Sequence, residues 1–106
     1  MRQTMIDWKS GHVDSWSMES IDLDRPLLEQ VSELSEDLAQ ISYPGGLVID
    51  VGWYPEFSDQ GTFVVSVVGE EGWDAPVFSE KCSSATALLT ALRNAVDFVQ
   101  HRREGI

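Results

Sequence analysis

Two stretches near the middle of this chain, Leu47–Tyr54 and Thr62–Val68, alternate with the two-residue period of a β-strand. In an antiparallel pair, side chains that lie opposite each other share one face of the sheet. One register builds a wholly apolar face from the pairs Trp53 with Phe63, Val51 with Val65, and Ile49 with Val67. A shift by one residue would bury Thr62 and Ser66 on that face without partners, so we predict the first register.

Apolar residues at helical spacing on both sides of these strands predict two helices. The first helix is expected to begin near Asp24, to hold Pro26 in its first turn and to end at Tyr43–Gly46. Its apolar positions are Leu27, Leu28, Val31, Leu34, Leu38 and Ile41. The second helix is expected to begin at Ser83 or Ser84. Its apolar positions are Ala85, Leu88, Leu89, Leu92, Ala95, Val96 and Val99.

A third strand is predicted over Trp73–Glu80, after a hairpin loop at Gly69–Gly72, and Pro76 places this strand at a sheet edge. Near the N-terminus, Met5–Lys9 or Val13–Met18 is expected to add a strand or to lie across the open face of the sheet. The predicted fold is a single α+β domain spanning all 106 residues. It is an antiparallel meander of three to four strands with two helices packed on one face, in the order (β)-α-β-β-β-α.

The charge of the chain is strongly acidic and unevenly distributed. Its formal net charge is −11, and fifteen acidic residues but only one basic residue, Arg25, lie between Ser10 and Glu80. Charges of one sign at this density repel each other and destabilise the compact state, so a basic partner is the most economical explanation for them. The same charge argues against direct binding to nucleic acid or anionic membranes, because both need Lys and Arg clusters.

Targeting signals and cysteine content favour a cytoplasmic protein. The first nine residues contain no apolar stretch of signal-peptide length, and no run approaches the roughly 18 apolar residues of a membrane span. Cys82 is the single cysteine, which excludes an internal disulfide and fits a reducing compartment.

The candidate chemical groups favour neither an enzyme nor a cofactor nor a metal site. His12 and His101 are far apart in the sequence, whereas a metal site needs three or four converging ligands. No nucleophile-elbow pattern is present, and Cys82 beside Lys81 is interpreted as an ordinary junction residue. The acidic string over residues 14–24 lacks the glycine and the final glutamate of an EF-hand loop, so we interpret it as a solvated segment.

Aromatic residues interleaved with acids are the best candidates for partner contacts. Trp53 is assigned to the core, whereas Tyr54 points to the opposite face, Phe57 lies in a polar loop and Trp73 follows a tight turn. Aromatic anchors surrounded by carboxylates suit a cationic protein partner. The predicted partner-binding residues are Asp50, Tyr54, Glu56, Asp59, Glu70, Glu71 and Trp73.

The runs Val48–Pro55 and Glu71–Pro76, placed around a hairpin and followed by a closing helix, give a small acidic α+β pattern. This pattern resembles bacterial immunity proteins that neutralise polymorphic or contact-dependent growth-inhibition toxins, and it covers the chain from Val48 onward. The resemblance implies a non-enzymatic inhibitor that binds and blocks a cognate toxin domain, often a nuclease with a basic active site. Two alternatives remain open: an accessory or regulatory subunit for another basic protein, or a small ligand-binding or enzymatic domain using Asp50 on the open sheet face.

Overall fold

Five antiparallel strands form one sheet, in chain order, in the computed structural model, which describes residues 1–104. The strands are β1 (His12–Trp16), β2 (Ala39–Ser42), β3 (Val48–Tyr54), β4 (Thr62–Val68) and β5 (Phe78–Cys82). One α-helix, α1 (Ala85–Glu104), packs against β4 and β5, and two 3-10 helices cover Gln3–Met5 and Leu27–Glu33. The α+β class and the meander order are confirmed, with five strands in place of three to four.

The register of β3 on β4 is the predicted one. Trp53 lies opposite Phe63, and the pairs Val51 with Val65 and Ile49 with Val67 follow. All six side chains are buried, and the rings of Trp53 and Phe63 meet edge to face with their centroids 4.9 Å apart. Burial of each large apolar side chain contributes about 1.5–3 kcal/mol, so this face is the main source of stability for the sheet.

The segment predicted as the first helix folds differently. Only Leu27–Glu33 is helical, as 3-10 turns on either side of a kink at Gln30, and Ala39–Ser42 instead forms strand β2, which pairs with β3. The chain is already extended before β2, since the Leu38 N–H donates to the Val51 carbonyl at 3.0 Å. The physical reason is the free edge of β3: its backbone groups are buried and need partners, and this requirement outweighs local helical spacing.

The first twenty residues contribute both a strand and part of the core. Strand β1 overlaps the predicted Val13–Met18 stretch, beginning one residue earlier, and pairs with β2, with a bulge between Val13 and Ser15. Met1, Ile6 and Trp8 are buried in the same hydrophobic cluster as the apolar residues of α1. The N-terminal segment therefore completes the core that the predicted first helix was expected to cover.

The last strand begins later than predicted. Strand β5 starts at Phe78 rather than Trp73, and the four-residue hairpin loop is extended to Gly69–Val77. Consecutive turns fold this loop, with the Gly72 N–H donating to the Gly69 carbonyl at 3.0 Å and the Ala75 N–H donating to the Gly72 carbonyl at 3.3 Å. Pro76 has no N–H to donate to a strand partner, so pairing resumes only after it.

Helix α1 begins where the sequence predicts. The Ala87 N–H donates to the Ser84 side-chain oxygen at 3.1 Å, which makes Ser84 the N-cap. Its apolar stripe is buried at Leu88, Leu92 and Val99. Within residues 1–104, no helix has both the length and the apolar character needed to cross a membrane.

Candidate protein-binding surface

The predicted partner-binding residues lie at two ends of the sheet. Asp50 and Tyr54 on β3 and Glu56 and Asp59 in the β3–β4 loop form one group, and Glu70, Glu71 and Trp73 in the β4–β5 loop form the other. The seven-residue strand β4 joins the two loops, and it spans about 23 Å. No single side chain of a partner reaches both groups, so they are separate surfaces.

The segment between the second 3-10 helix and β2 adds two carboxylates to the first group. The Trp53 N–H donates to the Ser35 carbonyl at 2.9 Å, so the segment runs beside the end of β3. The Tyr54 hydroxyl donates to the Glu36 carbonyl at 3.5 Å, and both Glu36 and Asp37 are exposed. We name this surface the acidic end. It consists of Glu36, Asp37, Asp50, Tyr54, Glu56, Phe57 and Asp59.

The carboxylates of the acidic end form no ion pair with a side chain that the structure describes. Among the side chains that the structure describes, ion pairs within 4.0 Å are limited to Lys9 with Asp7 and His12 with Asp14. Burial, followed by the charges of Asp50 and then of Glu36 and Asp37, raises the pKa of Tyr54. The negative charges around Tyr54 therefore oppose its ionisation, and a cation brought by a partner would meet several carboxylates on this surface.

Asp50 is half-buried on the open face of β3, and burial raises its pKa. A hydrogen bond from Gln40 Nε2 to Asp50 Oδ1 at 3.4 Å acts in the opposite direction, and the charge of Asp37 raises the pKa further. The charged form of Asp50 is thus less favoured in the folded chain than in the unfolded chain.

Asp50→Asn is expected to stabilise the fold near neutral pH and to lose this advantage in acid. Because the pKa of Asp50 is higher in the folded chain than in the unfolded chain, the protonated carboxyl favours folding. This contribution to stability is fully present below the unfolded pKa of 3.8 and is lost as pH rises through the folded pKa. Because solvent screens the charge of this half-buried residue, the substitution should raise the free energy of unfolding at neutral pH by less than about 1 kcal/mol. Urea unfolding at about pH 7 and about pH 3 measures the difference in stability between the variant and the wild type. Asp74→Asn, at an exposed position, is the control. An equal effect of Asp50→Asn at both pH values contradicts the interpretation.

The β3–β4 loop is held in place by contacts with the core. Trp53 Nε1 donates to the Ser58 carbonyl at 2.8 Å, and the Phe57 N–H donates to the Leu34 carbonyl at 2.8 Å. Gly61 lies so close to the Trp53 indole that a Cβ there would overlap the ring. These contacts fix both ends of the loop, so its exposed residues are presented in a defined arrangement.

Gly61→Ala is expected to destabilise the protein by about 2 kcal/mol, because the new methyl group must displace a buried tryptophan. Urea unfolding followed by Trp fluorescence measures the loss. Gly11→Ala is the comparison, since its Cβ would meet the Tyr43 ring and the Ile41 side chain rather than the loop. If Gly61→Ala leaves the unfolding midpoint unchanged, the loop is not anchored through Trp53.

Phe57 was not among the predicted contacts, yet it is the more exposed of the two aromatic residues at the acidic end. Phe57 is 53% exposed, compared with 39% for Tyr54. Glu36 and Asp37 were also missed by the sequence analysis. A phenylalanine within a polar loop was the available sign for Phe57, whereas the two acids reach the site only through the folding of a distant segment.

The second group borders a cleft at the opposite end of the sheet. This cleft has a volume of about 740 Å³ and is lined by Pro44, Gly45, Leu47, Gly69, Glu70, Glu71 and Arg102. Trp73, in the same loop as the two acids, is 58% exposed. Arg102 lines the cleft together with Glu70 and Glu71, so residues of both charges meet here, unlike at the acidic end.

Comparisons with known proteins gave no relative of this chain. Protein-family models, curated proteins and solved structures were each searched, and none matched. Function is therefore inferred from the charges, the exposed aromatic residues and the loop contacts described above.

His12, Asp14 and Ser42 lie close together, but they are not arranged as a catalytic triad. Asp14 Oδ1 contacts both His12 Nδ1 at 2.9 Å and Ser42 Oγ at 3.1 Å, which places the carboxylate between the other two residues. In a catalytic triad the histidine must contact the serine instead.

Burial raises the pKa of Cys82 to about 11, so its thiol is protonated at neutral pH. Within the described residues, no group of three His, Cys, Asp or Glu is placed to hold a metal ion.

Proposed function

We propose that this chain is a toxin-neutralising immunity protein that binds a basic, nuclease-type toxin domain through its acidic end and blocks it. The observation that carries the proposal is the acidic end itself. Its carboxylates have no described cation within ion-pair distance, and they surround two exposed aromatic residues, Tyr54 at the end of β3 and Phe57 on an anchored loop. Interface hot spots combine aromatic residues with complementary charge in this way. The resemblance from Val48 onward supports the choice of a toxin as the partner.

Electrostatic steering explains why an inhibitor would retain such a charge. A net charge of −11 attracts a basic partner over distances comparable to the Debye length and increases the association rate. Rapid capture is what a cell exposed to a lethal enzyme requires. A nuclease offers a suitable target, because its substrate is a polyanion and its active site is therefore basic.

The proposed mode of inhibition is occlusion of the basic cleft. Carboxylates of Glu56 and Asp59 on the exposed loop would occupy positions that otherwise bind phosphates. The contacts of Phe57 and Trp53 with neighbouring backbone hold the loop, so little ordering is needed on binding. The proposed place of action is the cytoplasm, which the single cysteine of the chain fits.

The test is to co-express the chain with the protein encoded by the adjacent gene. The expected result is that the adjacent protein arrests growth when it is expressed alone, that the chain restores growth, and that the two purify as one complex. A complex without toxicity to relieve would favour the alternative of an accessory subunit for a basic protein. Absence of both the complex and the rescue would exclude the immunity proposal.

A further inference from the structure

We propose that Phe57 is the anchor of this interface: its ring enters an apolar pocket on the partner, and the surrounding carboxylates pair with Lys and Arg residues that rim the pocket. The inference rests on the proposed function and adds to it the shape and chemistry of the partner surface. The partner surface would thus be a hydrophobic pocket within a basic rim.

The conformation of Phe57 is the first observation. Its φ is +57°, in the left-handed region that bulky residues rarely adopt, and the residue is 53% exposed. Such a residue loses stability through its backbone and gains little from burial of its side chain in the free chain. Strained residues persist where the surrounding structure holds them in place, and they cluster at functional sites such as ligand clamps.

The anchoring of the loop is the second observation. The Phe57 N–H donates to the Leu34 carbonyl at 2.8 Å, and Trp53 Nε1 holds the following residue through the Ser58 carbonyl at 2.8 Å. The ring therefore projects from a backbone that is fixed on both sides. Preorganisation of this kind lowers the entropy lost when an anchor enters a pocket.

The surrounding charges determine the chemistry of the rim. Glu56 precedes Phe57, Asp59 follows it by two residues, and both are exposed. No described cation lies within ion-pair distance of either carboxylate. Polar residues around a hot spot exclude water from the central contact, and here they would do so by pairing with basic residues.

The decisive variant is Phe57→Asn, because asparagine tolerates the left-handed region and removes the ring without straining the loop. Binding to the purified protein encoded by the adjacent gene is measured by titration calorimetry, and circular dichroism and urea unfolding check the fold. We expect Phe57→Asn to fold at least as stably as the wild type and to bind at least about 100-fold more weakly. Phe57→Tyr keeps the ring and is expected to stay within about threefold of the wild type.

Met5→Asn is the matched control, since Met5 is also an exposed apolar residue, at 42%, but lies outside the acidic end. We expect Met5→Asn to bind the adjacent protein with the same affinity as the wild type. If the wild type binds and Phe57→Asn binds equally well, the anchor inference is wrong while the proposed function stands. If the wild type does not bind the adjacent protein at all, the proposed function fails and the anchor fails with it.

Discussion

Gln30→Glu is expected to destabilise the protein by about 3 kcal/mol or more near neutral pH. Gln30 is a buried polar residue, 4% exposed, and its side chain closes the loop over residues 22–26. Its Oε1 accepts a hydrogen bond from the Asp22 N–H at 2.7 Å. Its Nε2 donates to the Asp22 carbonyl at 2.9 Å, to the Arg25 carbonyl at 3.3 Å and to the Pro26 carbonyl at 3.4 Å.

The substitution keeps the size of the side chain and removes its donors. A carboxylate at this position would face three carbonyl oxygens and would be buried without a cation, which is far less favourable than an unpaired amide. Since a domain of this size has only about 5–15 kcal/mol of net stability, such a loss is a large fraction of the total. The penalty should decrease as pH falls, because a protonated carboxyl regains one donor.

Gln60→Glu is the matched control, because it makes the same chemical change at an exposed position of the β3–β4 loop. Its expected effect is below about 0.5 kcal/mol. Urea unfolding near neutral pH compares the two variants with the wild type. Equal midpoints for the two variants would mean that the Gln30 hydrogen bonds contribute nothing specific to the fold.

The elements that the sequence analysis placed well are those whose pattern admits one solution. β3 and β4 are long and alternate regularly, and a single register gives them an apolar face, as Trp53 opposite Phe63 illustrates. Helix α1 has an apolar stripe that is buried from Leu88 to Val99, and a serine cap at Ser84. The local sequence pattern was therefore sufficient to predict the β3–β4 pair and helix α1.

The first predicted helix shows where local information was insufficient. Leu34 and Leu38 are spaced for a helix and are both fully buried, but strand β2 starts immediately after Leu38. Its formation depends on the free edge of β3, which is a property of the sheet rather than of the segment. Gln30 escaped notice for a related reason, since glutamine is usually exposed and only the loop over residues 22–26 gives its amide partners.

The candidate site was predicted in part. Tyr54, Glu56 and Asp59 were placed together because they are close in sequence at the end of β3. Glu36 and Asp37 could not be assigned to this surface, because they reach it through pairing of a distant segment with β3. The polar loop around Phe57 was a sign of its exposure, but no local pattern indicates its left-handed φ or its hydrogen bond to Leu34.

The double variant Glu56→Lys with Asp59→Lys is expected to weaken binding to the protein encoded by the adjacent gene by at least about 1,000-fold. Each change removes a favourable charge contact with a basic partner and introduces a repulsive one. Both residues are exposed, so the fold should be retained. Surface plasmon resonance measures the association and dissociation rates, and the association rate should fall as well as the affinity.

The matched control is Glu70→Lys with Glu71→Lys, which makes the same change in net charge at the opposite end of the sheet. Steering by the overall charge is reduced equally in both double variants, so a modest decrease in association rate is expected for each. Only the variant at the acidic end should also lose its contacts in the complex. If the Glu70 and Glu71 variant loses more affinity, the partner binds at the β4–β5 loop and the acidic end is wrongly assigned.

Titration calorimetry of the wild-type chain with the purified protein encoded by the adjacent gene, at about 0.05 M and about 0.5 M salt, tests the proposed interaction. The predicted result is a one-to-one complex with a Kd below about 10 nM at low salt, which weakens by at least about tenfold at high salt. No binding at either salt concentration, or an affinity that does not change with salt, would contradict the proposal that an acidic surface captures a basic toxin.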